Sequence, residues 1–272
     1  MRTTGTKPPL SYYGGKQKML KHLLPLVPPH EIYVEPFAGG AALFFAKRPA
    51  KVEVLNDIND NLITFYRVMK SDFDNLNGLI QGTLHSESDY RKAADIYRNP
   101  SEHSDLWRAW AVWVQCSMSF SIQPLNGFAF NLNIKKISIG GAKRRFANSR
   151  ERLGNAFVFT RNATELPEIY NTPETFTYYD PPYVNSDCGH YKGYTAKDYG
   201  DLMIHATNRK GKFLISSYPN EILSCMVELF GWNYKEIRQT LAVDGRRKES
   251  KTKVEALAWN YDEPSKQNTL FS

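Results

Sequence analysis

Apolar residues recur along this chain at two periods, alternating regularly at both ends and not in the middle. Met19, Leu20, Leu23 and Leu24 repeat at helical spacing within 17–26, and Pro25, Pro28 and Pro29 stop that helix. A short strand is predicted over 31–35, after which Gly39 and Gly40 turn the chain into a helix over 41–47. A second strand covers 51–57 and ends on Asp57. Leu62, Ile63, Tyr66 and Met69 then share one face of a helix over 59–69. Strand, glycine turn, helix, strand and terminal acid together open a doubly wound α/β sheet.

From about Ser71 to Leu153 that rhythm stops. The text is polar and helical at first, with Trp107, Trp110, Trp113 and Val114 predicting a buried helix over 106–119. It then grows rich in Asn, Gly, Ser and Phe, with turn signals at Asn126-Gly127 and Gly140-Gly141. Strands resume at 156–159 and 175–179, followed by a helix over 198–208, a strand over 211–217 and a helix over 221–230. Two closing strands, over 232–241 and 254–259, flank a basic loop. The expected fold class is therefore α/β. A doubly wound, Rossmann-like sheet is built from 10–70 and 154–272, with an inserted lobe over 71–153 that is mostly helical and ends in a basic hairpin.

Composition narrows the class. The 272 residues, 42% of them hydrophobic, suit one large domain or one domain with an inserted lobe. No segment approaches the roughly 20 apolar residues of a membrane helix, and the N-terminus lacks a signal peptide's apolar core. Cys116, Cys188 and Cys225 are odd in number and share no CxxC spacing, which fits reduced thiols in a cytoplasmic protein. Six scattered histidines show no ligand spacing, so no metal site is expected. The net charge of +7 is clustered. Lys135, Lys136, Lys143, Arg144, Arg145, Arg150 and Arg152 fall in one span, and Arg246, Arg247, Lys248, Lys251 and Lys253 in another. Such strips neutralise phosphates, though a solvated basic surface reads equally well.

Two stretches carry candidate chemistry. Val34-Glu35-Pro36-Phe37-Ala38-Gly39-Gly40 is a strand running into a turn whose backbone no side chain shields. Asp57 ends the next strand, where a carboxylate can accept both hydroxyls of a ribose. Tyr178-Tyr179-Asp180-Pro181-Pro182-Tyr183 is the more specific signal. The exocyclic amine of adenine is a poor nucleophile, because its lone pair is delocalised into the ring. Asp180 and the Pro181 carbonyl can hold its two hydrogens and draw the lone pair out of conjugation. Two prolines fix the turn, and Tyr183 offers a flat face to an extruded base. Cytosine C5 chemistry would need an activated cysteine after proline, and the chain has no Pro-Cys.

Taken together, Tyr12-Tyr13-Gly14-Gly15-Lys16, Glu35-Pro36-Phe37-Ala38-Gly39-Gly40, Leu55-Asn56-Asp57-Ile58-Asn59 and Asp180-Pro181-Pro182-Tyr183 resemble the Dam-like (D12 class) DNA adenine N6-methyltransferases, in the alpha order of motifs. The resemblance runs nearly to the end of the chain, through 253–260. It implies an S-adenosylmethionine-dependent methyltransferase fold and transfer of a methyl group to the N6 of a flipped adenine in double-stranded DNA. It also implies roles. Tyr12, Lys16, Glu35, Phe37, Gly39 and Asp57 would hold S-adenosylmethionine, with Asp180 bordering it. Asp180, Pro181 and Tyr183 would be catalytic. Asn126, Lys135, Lys136, Lys143, Arg144, Arg145, Arg246 and Arg247 would meet DNA. A monomer is expected, with a cognate restriction endonuclease as candidate partner and no membrane association.

The chain departs from the family in two places. Tyr12 stands where tryptophan is common. Phe130 stands three residues after the Asn-Gly turn, where GATC-specific relatives carry the arginine suited to reading guanine. GATC is therefore not the expected recognition sequence. Methylation of RNA adenine stays open, as does a catalytically silent DNA-binding module, although the latter has no use for Lys16, Asp57 and Asp180 together. A glutamine-amide acceptor fits less well, since those enzymes would carry Asn before the two prolines.

Overall fold

The computed structural model describes residues 5–130, 139–183, 193–240 and 252–264. The helix expected over 17–26 is broken into a short helix α1 (Leu20–Leu23) between two 3₁₀ turns, Lys16–Lys18 and Leu24–Leu26. Pro25 has no N–H to continue the ladder and constrains the residue before it. Next come β1 (Ile32–Glu35), α2 (Ala42–Ala46), β2 (Val52–Asn56) and α3 (Asp60–Ser71). Asn59 caps α3 by accepting the Leu62 amide at 3.4 Å.

Three helices follow, α4 (Phe73–Gly82), α5 (Glu87–Arg98) and α6 (Asp105–Met118), and then α7 (Ile139–Ala147). The sheet resumes with β3 (Ala156–Phe159) and β4 (Thr175–Tyr179), then α8 (Ala196–Thr207) and β5 (Lys212–Ser217). The last elements are α9 (Glu221–Phe230), β6 (Asn233–Thr240) and β7 (Thr252–Trp259). A capping box of Thr195 and Asp198 starts α8, and Gly231, at φ +65°, ends α9 in the left-handed conformation. The seven strands form one mixed sheet in the order β3-β2-β1-β4-β5-β7-β6. The β2–β3, β1–β4 and β4–β5 pairs are parallel, while β7 runs antiparallel to both β5 and β6. This is the α/β, doubly wound class that the periodicity predicted. No helix among the described residues is long and apolar enough to cross a membrane.

The chain forms two compact units, Met1–Pro25 with Ala38–Asn162, and Leu26–Phe37 with Ala163–Ser272. The first buries Phe44, Phe45, Phe65, Tyr66, Trp113 and Phe146. It also buries an ion cluster in which Glu53 accepts from Lys47 at 2.6 Å and from Arg152. Burial alone would raise the Glu53 carboxyl, but Arg152 and Lys47 hold it below the usual range. Arg152 is thus structural, and does not belong to a phosphate-binding strip. The second unit packs Tyr179, Tyr199, Phe213, Trp232 and neighbouring aliphatic residues into one core.

The turn expected at Gly140-Gly141 is absent, and both glycines lie inside α7. Glycine costs about 1 kcal/mol in a helix, but the inner face of α7 buries Ala142 and Phe146, the latter stacked on Phe73 at 5.0 Å. Packing outweighs propensity here, so Lys143, Arg144 and Arg145 sit on a helix rather than on a hairpin. The Asn126-Gly127 turn does form. Gly127 has φ +87°, Phe120 donates its amide to the Gly127 carbonyl at 2.9 Å, and Ala129 donates to Met118 at 2.7 Å.

Candidate functional site

The first unit builds a corner around Asp57. Val54, Leu55 and Asn56 bury β2, and Asp57 follows at its end. One carboxylate oxygen accepts the Gly39 amide at 3.0 Å and the other accepts the Asn59 amide at 3.0 Å. Burial raises the carboxyl above the ordinary aspartate value, and those two amides oppose the rise. Gly39 can serve this way because it lies at φ +46°, a conformation L side chains rarely adopt. Its carbonyl accepts the Tyr66 hydroxyl at 2.7 Å. Tyr12 packs on the turn so closely that a Cβ on Gly40 would lie 3.0 Å from the Tyr12 Cβ. The Tyr12 hydroxyl accepts from Asn59 Nδ2 at 3.4 Å. Lys16 is buried at 5% exposure, its ammonium 3.3 Å from the Gly14 carbonyl. Of the residues expected at the cofactor, Tyr12, Gly39 and Asp57 are therefore brought together.

The second unit builds a different corner around Asp180. Every residue of β4 is buried, and Asp180 leaves its end half-buried, before a buried Pro181. One carboxylate oxygen accepts the Ser216 hydroxyl at 3.1 Å and lies 3.3 Å from the Tyr183 hydroxyl. Ser216 also shares a 2.9 Å bond with the Tyr178 hydroxyl. Tyr183 donates to Glu255 at 2.5 Å, and its ring packs against Tyr218 with centroids 4.3 Å apart. The Lys253 ammonium stands 5.1 Å from the Tyr218 ring centre and 5.8 Å from that of Tyr183. Burial, then the charges of Asp180 and Glu255, push the Tyr183 phenol well above its ordinary value. In the same unit Glu35 is buried and accepts the Tyr33 hydroxyl at 2.8 Å. Phe37 is half-buried, edge-on to Tyr194 at 6.5 Å.

Residues 12–110 match the family model of the D12 class N6 adenine-specific DNA methyltransferases. Over that span the chain is similar to that class. The matched span of the D12 family takes in Tyr12, Lys16, Glu35, Phe37, Gly39 and Asp57. Relatives extend the likeness further along the chain. It is 26% identical over 277 residues to a type II methyltransferase, M1.LlaDCHI of Lactococcus lactis subsp. cremoris, covering 94% of this chain and 95% of the relative. It is 25% identical over 224 residues to the type II methyltransferase M.MjaIII of Methanocaldococcus jannaschii, covering 72% of this chain and 75% of that one. Among solved structures it is similar to a precorrin-6y C5,15-methyltransferase of Geobacter metallireducens GS-15 over 87% of this chain and 84% of the other. The TM-score is 0.36 at 8% identity.

For a chain similar to the D12 methyltransferases the placement of basic side chains matters next. The Lys143 ammonium donates to the Gln81 and Thr83 carbonyls at 2.7 and 2.9 Å, at the end of α4. Arg145 donates to the Ser11 hydroxyl at 2.9 Å, and its burial lowers its affinity for the proton. Arg150 pairs with Asp74 at 2.9 Å. Arg144 is exposed, as is Asn126, whose side-chain amide donates to the Phe120 carbonyl at 3.2 Å. Lys135, Lys136, Arg246 and Arg247 lie outside the described residues. The sequence reading missed Ser216, Tyr218 and Glu255. Glu255 did leave a signal, as a lone acid in the apolar strand text Val254-Glu255-Ala256-Leu257.

Proposed function

We propose that the chain transfers a methyl group from S-adenosylmethionine to the exocyclic N6 of an adenine flipped out of duplex DNA, at a recognition sequence other than GATC. The residues of the first unit suit that cofactor. Asp57 is an acceptor-only carboxylate beside a glycine turn that a Cβ would crowd, and Lys16 is a buried cation for the methionine carboxylate. When bound, the cofactor supplies an electrophilic methyl on a sulfonium. Asp180 and the Pro181 carbonyl accept the two amine hydrogens of adenine, so that the nitrogen lone pair leaves the ring's conjugation. The work is positioning and electrostatics, with no covalent enzyme intermediate. Tyr183 gives the extruded base a face to stack on. The segment 71–153 is the target-recognition region, with exposed Arg144 and the exposed Phe130 on its surface. A companion restriction endonuclease is proposed from the likeness to type II methyltransferases.

The observation that carries this reading is Asp180 at the mouth of β4, followed by two prolines and a tyrosine, with the Ser216 hydroxyl donating to it and the Tyr183 hydroxyl 3.3 Å away. The test is transfer of labelled methyl from S-adenosylmethionine into unmethylated genomic DNA, followed by nucleoside analysis. N6-methyladenine is the expected product, and mapping it gives the recognition sequence. Label in RNA or protein alone would overturn the reading.

A further inference from the structure

The Tyr183 phenol carries one proton and faces two carboxylates. Its oxygen is 2.5 Å from Glu255 Oε1 and 3.3 Å from Asp180 Oδ1. A hydroxyl hydrogen makes one strong bond at a time, and the shorter, charge-assisted contact takes it. Glu255 is well placed to keep it. The residue is 1% exposed within β7, and its second oxygen accepts Gln239 Nε2 at 3.3 Å and faces the Lys253 ammonium at 3.9 Å. Burial keeps the phenol protonated throughout the neutral range.

We propose that Glu255 is a positioning residue that draws the Tyr183 hydroxyl proton away from Asp180, leaving Asp180 a strong acceptor for the target amine. The proposal rests on Asp180 being the amine's acceptor. Each donor that settles on a carboxylate withdraws charge from it, and a weaker acceptor polarises the adenine amine less. Ser216 already donates to Asp180. With glutamine at 255, the carboxamide can donate to the phenol oxygen, and the phenol then turns its proton onto Asp180. Size and shape barely change, while the direction of one proton reverses.

The experiment is single-turnover methyl transfer on unmethylated DNA with the full chain, comparing wild type, Glu255→Gln, Tyr183→Phe and the double variant. Glu255→Gln is expected to slow the chemical step roughly tenfold or more, as loss of a charge-assisted hydrogen bond does. S-adenosylmethionine affinity and the melting temperature should stay near wild type. The double variant, which keeps the ring and has no phenol proton to redirect, is expected to recover most of that loss. A purely structural Glu255 gives the opposite result, because removing a second buried contact deepens the defect. Full activity in Glu255→Gln, or a double variant no faster than it, overturns the inference. Asp180→Ala separates the two readings. If it stays active, the assignment of the acceptor fails and this inference fails with it. If it is inactive while Glu255→Gln is fully active, only the inference fails.

Discussion

Asp57 and Asp180 each follow the end of a buried strand, yet the two carboxylates are held by different chemistry. Asp57 is fed by backbone amides, from Gly39 and Asn59. Asp180 is fed by a side-chain hydroxyl, from Ser216, with a second, from Tyr183, within reach at 3.3 Å. Backbone donors are fixed by the fold and carry no proton that can move elsewhere. They make a rigid acceptor, suited to a ligand that must be bound the same way each cycle. Hydroxyls rotate, and each can be recruited by a competitor, as Glu255 recruits Tyr183. They make an acceptor whose strength can be set by residues beyond it, which suits a group that polarises a reacting amine. On the proposed function, one corner serves affinity and the other the chemical step.

The sharpest way to break this contrast is Asp180→Ala. Methyl transfer should fall by roughly three orders of magnitude, the scale for losing a polar group aimed at the reacting centre. DNA and S-adenosylmethionine binding should remain. Single-turnover rates and equilibrium binding measured on the same preparation check both halves. Retention of a tenth of the activity would remove Asp180 from the reaction.

Asp57→Asn should behave in the converse manner. Its amide group faces a backbone N–H, donor against donor, and the charge is gone. Cofactor affinity should drop roughly 10- to 100-fold, as expected for a hydrogen bond to a charged group, with the rate at saturating cofactor largely kept. The pH dependence gives a second readout. Because burial raises the Asp57 carboxyl, the ionised form is lost as pH falls through a value above the ordinary aspartate range of about 4. Wild-type affinity should therefore weaken on acidification earlier than a surface aspartate would allow, and the variant's affinity should be flat there. Calorimetric titration across acid pH decides it. A wild-type profile as flat as the variant's would show that the carboxylate does not bind the ligand.

The order of sheet elements was legible because buried strands and helices obey fixed periods, and Thr175–Tyr179 and Glu221–Phe230 carry theirs without interruption. The two aspartates were legible because strand-end acids beside glycine or proline leave a local mark. What failed to show was non-local. Gly140-Gly141 reads as a turn until Phe146 is known to stack on Phe73, which holds α7 helical. Arg152 reads as part of a basic strip until Glu53, 99 positions away, is known to be its partner. Glu255 stands out only as a lone acid in an apolar strand, and its role stays hidden until Tyr183, 72 residues before it, lies against it. Charge in a sequence is a count, and only the fold says which charges are already engaged.

Gly39→Ala is the gentlest probe of the contrast. At φ +46° an alanine costs about 1–2 kcal/mol, and its Cβ would lie 3.3 Å from the Tyr12 ring, so the ring must give by a few tenths of an ångström. The melting temperature should fall by a few degrees. Cofactor affinity should weaken several-fold, because the Gly39 amide that orients Asp57 moves with the turn. The rate at saturating cofactor should hardly change if, as proposed, the amide-fed corner binds and does not react. If that rate falls together with affinity, the turn reaches the chemical step, and the division between a binding corner and a reacting one is wrong.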